Sequence, residues 1–312
     1  MQRLRNATIA AAGRLVYRKH DGLQNRNARF DSLVPRLAPP SQIFAPEALA
    51  GRVVLVTGGG TNLGKQAAIE LAAAGAQVVI AGRREEVLQE AAAEIGDRCS
   101  RVAGDIRDPA DATRIVETVR QRHGRLDVLV NNAGGQYFVP AEEIAAKGWQ
   151  AVRRLNVGGT YTMIRAAVGT GFGDDGGTIV NVTVSPHHGM PAMAHTGAAR
   201  AAVEQLTREL AAEWARRGIA VVAAAIGRFD TESLRKYPEV VWKGAARSVP
   251  LQRLGTMQEF GWLVALLAGP VGRALSGSVV TLDGAADNWF GPWPPPTLTD
   301  DAGAVPTEDR RG

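Results

Sequence analysis

The stretch Arg52-Val53-Val54-Leu55-Val56-Thr57-Gly58-Gly59-Gly60-Thr61-Asn62-Leu63-Gly64-Lys65 decides how the rest of the chain is read. Its first part is an unbroken apolar, β-branched run. Without polar alternation, such a run predicts a strand covered on both faces, over Arg52–Val56. Glycines then break it, and an Ala-rich helix is predicted over Lys65–Ala74, closed by Gly75. A glycine-rich turn between a strand and a helix lets backbone approach a pyrophosphate, which rests on the positive end of that helix. Gly58, Thr61, Asn62, Leu63 and Gly64 are therefore candidate cofactor-binding residues. A plain strand–helix turn is the structural alternative. A P-loop is excluded, because Gly64-Lys65 is followed by Gln66 and not by Ser or Thr.

The pattern repeats outward from this stretch. Strands are predicted at Gln77–Ala81, Arg101–Ala103, Leu126–Asn131, Thr178–Val182, Ile219–Ala225 and Ser278–Leu282. Helices are predicted at Glu85–Ile95, Pro109–Arg122, Ala198–Arg216 and Met257–Ala268. Strand–helix alternation with continuously apolar strands implies a parallel sheet sandwiched by helices. The expected fold is α/β: a single doubly wound, Rossmann-type domain with a seven-stranded parallel sheet, over residues 51–290. Residues 1–50 form a basic, Pro-containing N-terminal extension, and residues 291–312 a Pro-rich tail.

Composition narrows the class. Of 312 residues, 45% are hydrophobic and 21% charged, which excludes wholesale disorder. One cysteine excludes an intramolecular disulfide framework and a multi-thiolate zinc site. The longest apolar runs fall short of the ~18 residues that suggest a membrane span. The net charge is +5 and the pI about 9.7. Residues 1–50 hold eight Lys and Arg against three Asp and Glu, which is the entire excess. The remaining chain is formally neutral, so no nucleic-acid partner is expected. The extension reads first as a segment packing on the domain or on a subunit. Its Arg-rich, acid-poor start also resembles an organelle transit peptide, and a surface-binding arm is the third reading. The location expected is cytoplasmic, with organelle targeting as the alternative.

The second strand ends in Gly82-Arg83-Arg84. A site preferring NAD carries an acid there for the ribose hydroxyls. None is present, and two guanidiniums suit a 2′-phosphate. NADP(H) is therefore the expected cofactor, with Arg83 and Arg84 binding it; solvated helix-start charges are the alternative.

Further motifs carry a family resemblance. Asp105-Ile106 follows the third strand, Asn131-Asn132-Ala133-Gly134 the fourth, and Leu155-Asn156-Val157-Gly158-Gly159-Thr160 comes later. With the glycine-rich turn, these resemble the short-chain dehydrogenase/reductase family over about residues 51–285. The resemblance implies that Asp105 and Ile106 meet the adenine and that Asn132, Ala133 and Gly134 border the cofactor. It also implies that Gly227 and Thr231, after the sixth strand, contact the cofactor. Asn62 stands where the family has glycine; Asn is among the residues that best tolerate positive φ.

The catalytic end departs from the family's majority pattern of Asn, Ser, Tyr and Lys. Asn156 fills the Asn position. In His195-Thr196-Gly197-Ala198-Ala199-Arg200-Ala201, Thr196 stands at the Tyr position and Arg200 at the Lys position. A threonine hydroxyl is not acidic enough to replace tyrosine; Arg200 can bind the cofactor by donating hydrogen bonds to its ribose but cannot shuttle protons. The same stretch, with Asn131–Tyr137 and Lys147-Gly148-Trp149, resembles peroxisomal trans-2-enoyl-CoA reductases; together with Asp283–Ala286 it also resembles bacterial citronellol/citronellal dehydrogenases. The missing tyrosine therefore reads as a subgroup trait. His187, His188 and His195 crowd the site loop, and imidazole titrates near neutrality. His195 is the first candidate acid and Ser185 a candidate carbonyl-orienting group. Exposed loop residues are the alternative for His187 and His188, and an ordinary loop hydroxyl for Ser185. Trp242 and Tyr237 either line an apolar pocket or anchor a lid over 232–250.

The expected activity is an NADP(H)-dependent oxidoreductase acting on a small molecule, an enoyl thioester or a terpenoid or aliphatic alcohol or aldehyde. Non-redox chemistry on the same scaffold, or cofactor binding without catalysis, are the alternatives. No metal site is expected. The helices Gly158–Val168 and Ala198–Arg216 resemble the pair that forms dimer interfaces in the family, so a homodimer or homotetramer is implied.

Overall fold

A computed structural model describes residues 43–236 and 239–289. The extension up to residue 42, Tyr237, and the tail from residue 290 lie outside the described residues.

Seven parallel strands form one sheet in the order β3-β2-β1-β4-β5-β6-β7. They are β1 (Val53–Thr57), β2 (Gln77–Gly82), β3 (Cys99–Ala103), β4 (Val128–Asn131), β5 (Gly177–Val184), β6 (Ile219–Ile226) and β7 (Val279–Leu282). The helices are α1 (Asn62–Ala73), α2 (Glu85–Ile95), α3 (Pro109–His123), α4 (Ala146–Arg153), α5 (Thr160–Ala166) and α6 (Ala194–Trp214). Four more follow: α7 (Glu232–Arg235), α8 (Glu239–Arg247), α9 (Met257–Ala268) and α10 (Pro270–Ala274). The doubly wound seven-stranded sheet is the one expected. Strands are added outward in one direction from β1 to β3 and in the other from β4 to β7, so the strand order reverses between β1 and β4, the place where ligands bind in open α/β sheets.

The apolar run of β1 explains why the sheet is covered twice. Successive side chains point to opposite faces. Val54 and Val56 join one core with Leu71 of α1 and Phe260 and Val264 of α9. Val53 and Leu55 join the other with Ile115 and Val119 of α3 and Met163 of α5. All five β1 residues are buried. Burying each such aliphatic side chain contributes roughly 1.5–3 kcal/mol. The Ala-rich composition of α1 serves close packing: at Gly261 of α9, a Cβ would stand 2.6 Å from Glu70 Cγ of α1.

Three boundaries differ from expectation. The domain begins before residue 51: Leu49 is 3% exposed, belongs to the first core and donates its N–H to Ala74 O at 2.8 Å. Helix α1 starts at Asn62, directly on the turn. Helix α6 starts at Ala194, four residues before the predicted start, so His195, Thr196 and Gly197 lie in its first turn. Met193 O accepts from the N–H groups of Thr196 and Gly197 and closes that turn despite the glycine. The segment from Ala146 to Gly171 is helical throughout but widens twice to π geometry, at Arg154–Gly159 and Ala167–Gly171. Such widenings occur frequently at functional sites, and Asn156 sits in the first.

Candidate active site

Gly58 holds φ +65° and Asn62 φ +46°, the left-handed region that the Asn-for-Gly exchange had to satisfy. Gly64 presses on the turn: a Cβ there would stand 2.2 Å from Gly58 O. Thr61 is the N-cap of α1, yet no side chain caps the helix. The first-turn N–H groups therefore face outward, a cradle for an anion. Leu63 is partly buried and packs against the first core. Asn62 does a second thing that its spacing did not reveal. Its Oδ1 accepts from Glu232 N at 3.1 Å, tying the turn to the start of α7. Thr231 caps α7 by accepting from Leu234 N at 3.2 Å.

The turn after β4 is stitched to the turn after β1. Asn132 Nδ2 donates to Thr57 O at 3.0 Å and Gly58 O at 3.3 Å, while Thr57 Oγ1 accepts from the N–H groups of Asn132 and Ala133 at 3.1 Å. Asn132 thus shapes the cradle. Arg83 and Arg84 are exposed at the end of β2. Asp105 is held by Arg107, whose Nε donates to both carboxylate oxygens at 2.9 Å. Those hydrogen bonds keep the Asp105 carboxyl below its usual range. Arg107 was not singled out in the sequence, although its two-residue offset from Asp105 allows the contact. Ile106 is 5% exposed and packs where a Cβ on Gly159 would fall, 2.8 Å from its Cδ1.

The catalytic-end residues converge from three elements. Asn156 is fully buried; its Nδ2 donates to Gly135 O at 2.8 Å and Val152 O at 3.0 Å, and its Oδ1 accepts from Gly135 N at 3.2 Å. Arg200 is 7% exposed, and its Nη1 donates to Val182 O at 2.7 Å. Burial pulls its guanidinium down to about 10, so it remains a cation at neutral pH. No carboxylate pairs with it among the described residues. Gly134 leaves room for it: a Cβ there would stand 2.2 Å from Arg200 Nη2 and 2.7 Å from Asn156 Oδ1.

One turn earlier on α6, His195 and Thr196 are buried. Neither ring nitrogen of His195, nor Thr196 Oγ1, nor Arg200 Nε has a hydrogen-bond partner. The His195 ring instead meets Tyr137 edge-on at 4.4 Å. Four unpartnered buried polar atoms on two turns of one helix are costly unless a ligand completes them. Beside them lies an open groove of about 490 Å³, lined by Ala141, Ile144, Ala146, Trp149, Gln150 and Ala194.

Ser185 stands apart from this cluster. Its hydroxyl donates to Asp283, next to Gly227, where a Cβ would stand 2.6 Å from Asp283 Cβ. His187 lies between Glu204 and Asp287, and His188 Nε2 contacts Ala286 O at 3.3 Å. Trp242 has the Arg235 guanidinium over its ring at 4.1 Å, and Arg235 also pairs with Asp230. Among the described residues, no cluster of His, Cys, Asp and Glu is placed to hold a metal, and no helix is long and apolar enough to cross a membrane.

A doubly wound parallel sheet with an uncapped helix behind a glycine turn at the switch point defines a dinucleotide-binding oxidoreductase class. The sequence profile described as short chain dehydrogenase matches residues 52–241, and the chain belongs to this family, which uses nicotinamide cofactors. It is 33% identical to the peroxisomal 2,4-dienoyl-CoA reductase [(3E)-enoyl-CoA-producing] of Danio rerio, over 79% of this chain and 85% of that protein. Among solved structures, it is 36% identical to the citronellol catabolism dehydrogenase AtuB of Pseudomonas aeruginosa. The TM-score is 0.70, covering 78% of this chain and 98% of that one. A short chain dehydrogenase from Bacillus anthracis superposes with a TM-score of 0.71 at 33% identity, covering 78% of this chain and 100% of that one.

Proposed function

We propose that the protein is an NADP(H)-dependent reductase of α,β-unsaturated acyl thioesters. The observation that carries this reading is Arg200: a buried, unpaired cation beside Gly134 and Asn156, with no tyrosine in the first two turns of α6. When bound, a nicotinamide cofactor exchanges a hydride with the substrate. The first-turn N–H groups of α1, with Gly58, Thr61, Leu63 and Gly64, hold the pyrophosphate. Arg83 and Arg84 pair with a 2′-phosphate. Asp105 and Ile106 flank the adenine, Asn132, Ala133 and Gly134 border the cofactor, and Gly227 and Thr231 meet its nicotinamide half.

Reduction at the β-carbon moves the double-bond electrons toward the thioester oxygen. A fixed guanidinium in a water-poor site stabilises that developing negative charge without giving up a proton. Asn156 holds the turn that faces it. The carbon–hydrogen bond at the α-carbon is completed by a proton from solvent or from His195, whose ring lies one turn away. Ser185, already donating to Asp283, fixes the loop that borders the substrate. Alcohol oxidation, in contrast, needs a base at the oxygen, and Arg200 is not one. The relationship to the peroxisomal dienoyl-CoA reductase supports the thioester reading.

A second reading, oxidoreduction of a citronellol-type terpenoid, is favoured by the likeness to AtuB and by the apolar groove beside Ala194. Substrate-dependent NADPH oxidation decides between them. Turnover with enoyl- or dienoyl-CoA and not with citronellal supports the first reading. Turnover with citronellal alone supports the second, and turnover with neither class overturns both.

A further inference from the structure

His187 has a carboxylate on each ring nitrogen. Nδ1 lies 2.5 Å from Asp287 Oδ2, and Nε2 lies 2.9 Å from Glu204 Oε1. Its backbone N–H also donates to Asp287 Oδ1 at 2.5 Å. A carboxylate only accepts, so each contact needs an N–H on the ring. Neutral imidazole has one N–H and imidazolium has two. The neutral form would set a nitrogen lone pair against a carboxylate oxygen on one side.

The two carboxylates belong to different parts of the fold. Glu204 is 5% exposed on α6, four residues after Arg200 and so on the same helix face. Its Oε1 also accepts from Thr183 Oγ1 of β5 at 2.8 Å, one residue from the Val182 carbonyl that anchors Arg200. Asp287 lies in the short turn Ala286–Asn288 after β7, where its N–H donates to Asp283 Oδ2 at 2.8 Å.

We propose that His187 is a positioning residue that works as an imidazolium, clamping the turn after β7 to α6 and so fixing the Ser185–His188 loop and the Arg200 end of α6. Its effect on turnover rests on the reading of Arg200 given above; the clamp itself does not. Every neighbouring charge bears on it. Arg208 on α6 stands 4.0 Å from Glu204 Oε2, and His188 acts on Asp287 through space. Asp283 takes the Ser185 hydroxyl and is faced by Arg228 from the segment after β6. Around His187, burial works against the cation, and the hydrogen bonds it donates to Asp287 and Glu204 overcome it and raise its pKa above 6.5. A raised folded-state value means that the clamp is fully closed below 6.5 and opens as pH rises through the higher folded value.

The test is a pH titration of the full chain carrying 15N-labelled histidine, read by imidazole nitrogen NMR. Both His187 nitrogens are expected to carry protons at neutral pH, with a midpoint above that of an ordinary histidine. Asp287→Asn is expected to lower that midpoint without unfolding the protein. In assays with whichever thioester is turned over, wild type is expected to lose activity at alkaline pH with the NMR midpoint. His187→Gln is expected to abolish that step and to raise KM about tenfold, the scale of one lost charged hydrogen bond. NADPH affinity should hold within about twofold, since His187, Glu204 and Asp287 are not among the residues assigned to the cofactor. A neutral His187 at pH 7, an unmoved midpoint in Asp287→Asn, or an unchanged pH profile in His187→Gln overturns the proposal. If no thioester is turned over, the functional reading fails, and the two NMR outcomes still decide the clamp.

Discussion

Gly134 and Arg200 share one space: a methyl carbon on residue 134 would stand 2.2 Å from a terminal nitrogen of the guanidinium. The turn after β4 and the second turn of α6 meet through an atom that glycine lacks. The cation is therefore located by two residues 66 positions apart in sequence, and neither can change without moving the other.

Gly134→Ala tests that fit. The guanidinium is pinned at Nη1 by Val182 O, so it cannot simply withdraw. Overpacking of this kind costs roughly 1–3 kcal/mol. Thermal melting is expected to show that loss, and calorimetry to show weakened cofactor binding. A variant that binds and melts like wild type contradicts the geometry.

Arg200→Met removes the buried charge at similar volume. Turnover is expected to fall by about 100-fold or more, as on removal of a group that stabilises developing negative charge. The melting temperature is expected to hold or rise, because an unpaired buried cation has been taken away. Arg200→Lys is expected to restore part of the turnover but not all, since a lysine cannot reproduce the guanidinium's planar fork. Full activity in Arg200→Met would remove the residue from the mechanism.

Arg83→Ser with Arg84→Ser tests cofactor choice. Loss of charge-assisted pairing is expected to weaken NADPH binding by about tenfold or more while NADH binding changes little. Added salt is expected to weaken NADPH binding in wild type more than in the double variant. Equal affinity of wild type for the two cofactors would contradict the preference.

Glu259 gives a pH-dependent stability signal away from the site. It closes the capping box of α9 with Thr256 and pairs with Arg253 at 2.6 Å. Burial works to raise its pKa, but Arg253 and the Thr256 N–H overcome it and hold the carboxyl below 4.5. A lowered folded value means that this stability is complete above 4.5 and is lost as pH falls through the folded value. Glu259→Gln is therefore expected to melt below wild type at neutral pH and to converge with it in acid. A constant gap across that range would show that the charge contributes nothing.

Much of the fold is legible in the chain because the signals are local and repeated. Glu85–Ile95 and Met257–Ala268 fall where apolar periodicity places them. Asn62 illustrates half of a reading. Its tolerance of positive φ follows from its side chain, but its bond to Glu232 spans 170 positions and has no local signature. Helix α6 starts four residues before the predicted Ala198 and runs through Gly197, a residue of low helix propensity. Packing and the Met193 carbonyl extend the helix through that glycine.

The class of architecture, the glycine-rich turn after β1, the pair of arginines after β2 and the lack of a tyrosine in α6 are all legible in the chain alone. Each depends on residues within a few positions of one another, where periodicity, glycine geometry and charge act directly. Three facts come from packing instead: Arg200 is buried with no carboxylate partner among the described residues, the Ser185 hydroxyl donates a hydrogen bond to Asp283, and His187 lies between Glu204 and Asp287. Those facts join residues up to 100 positions apart. They are set by how strands and helices pack around one crevice, and packing sums contributions from the whole chain.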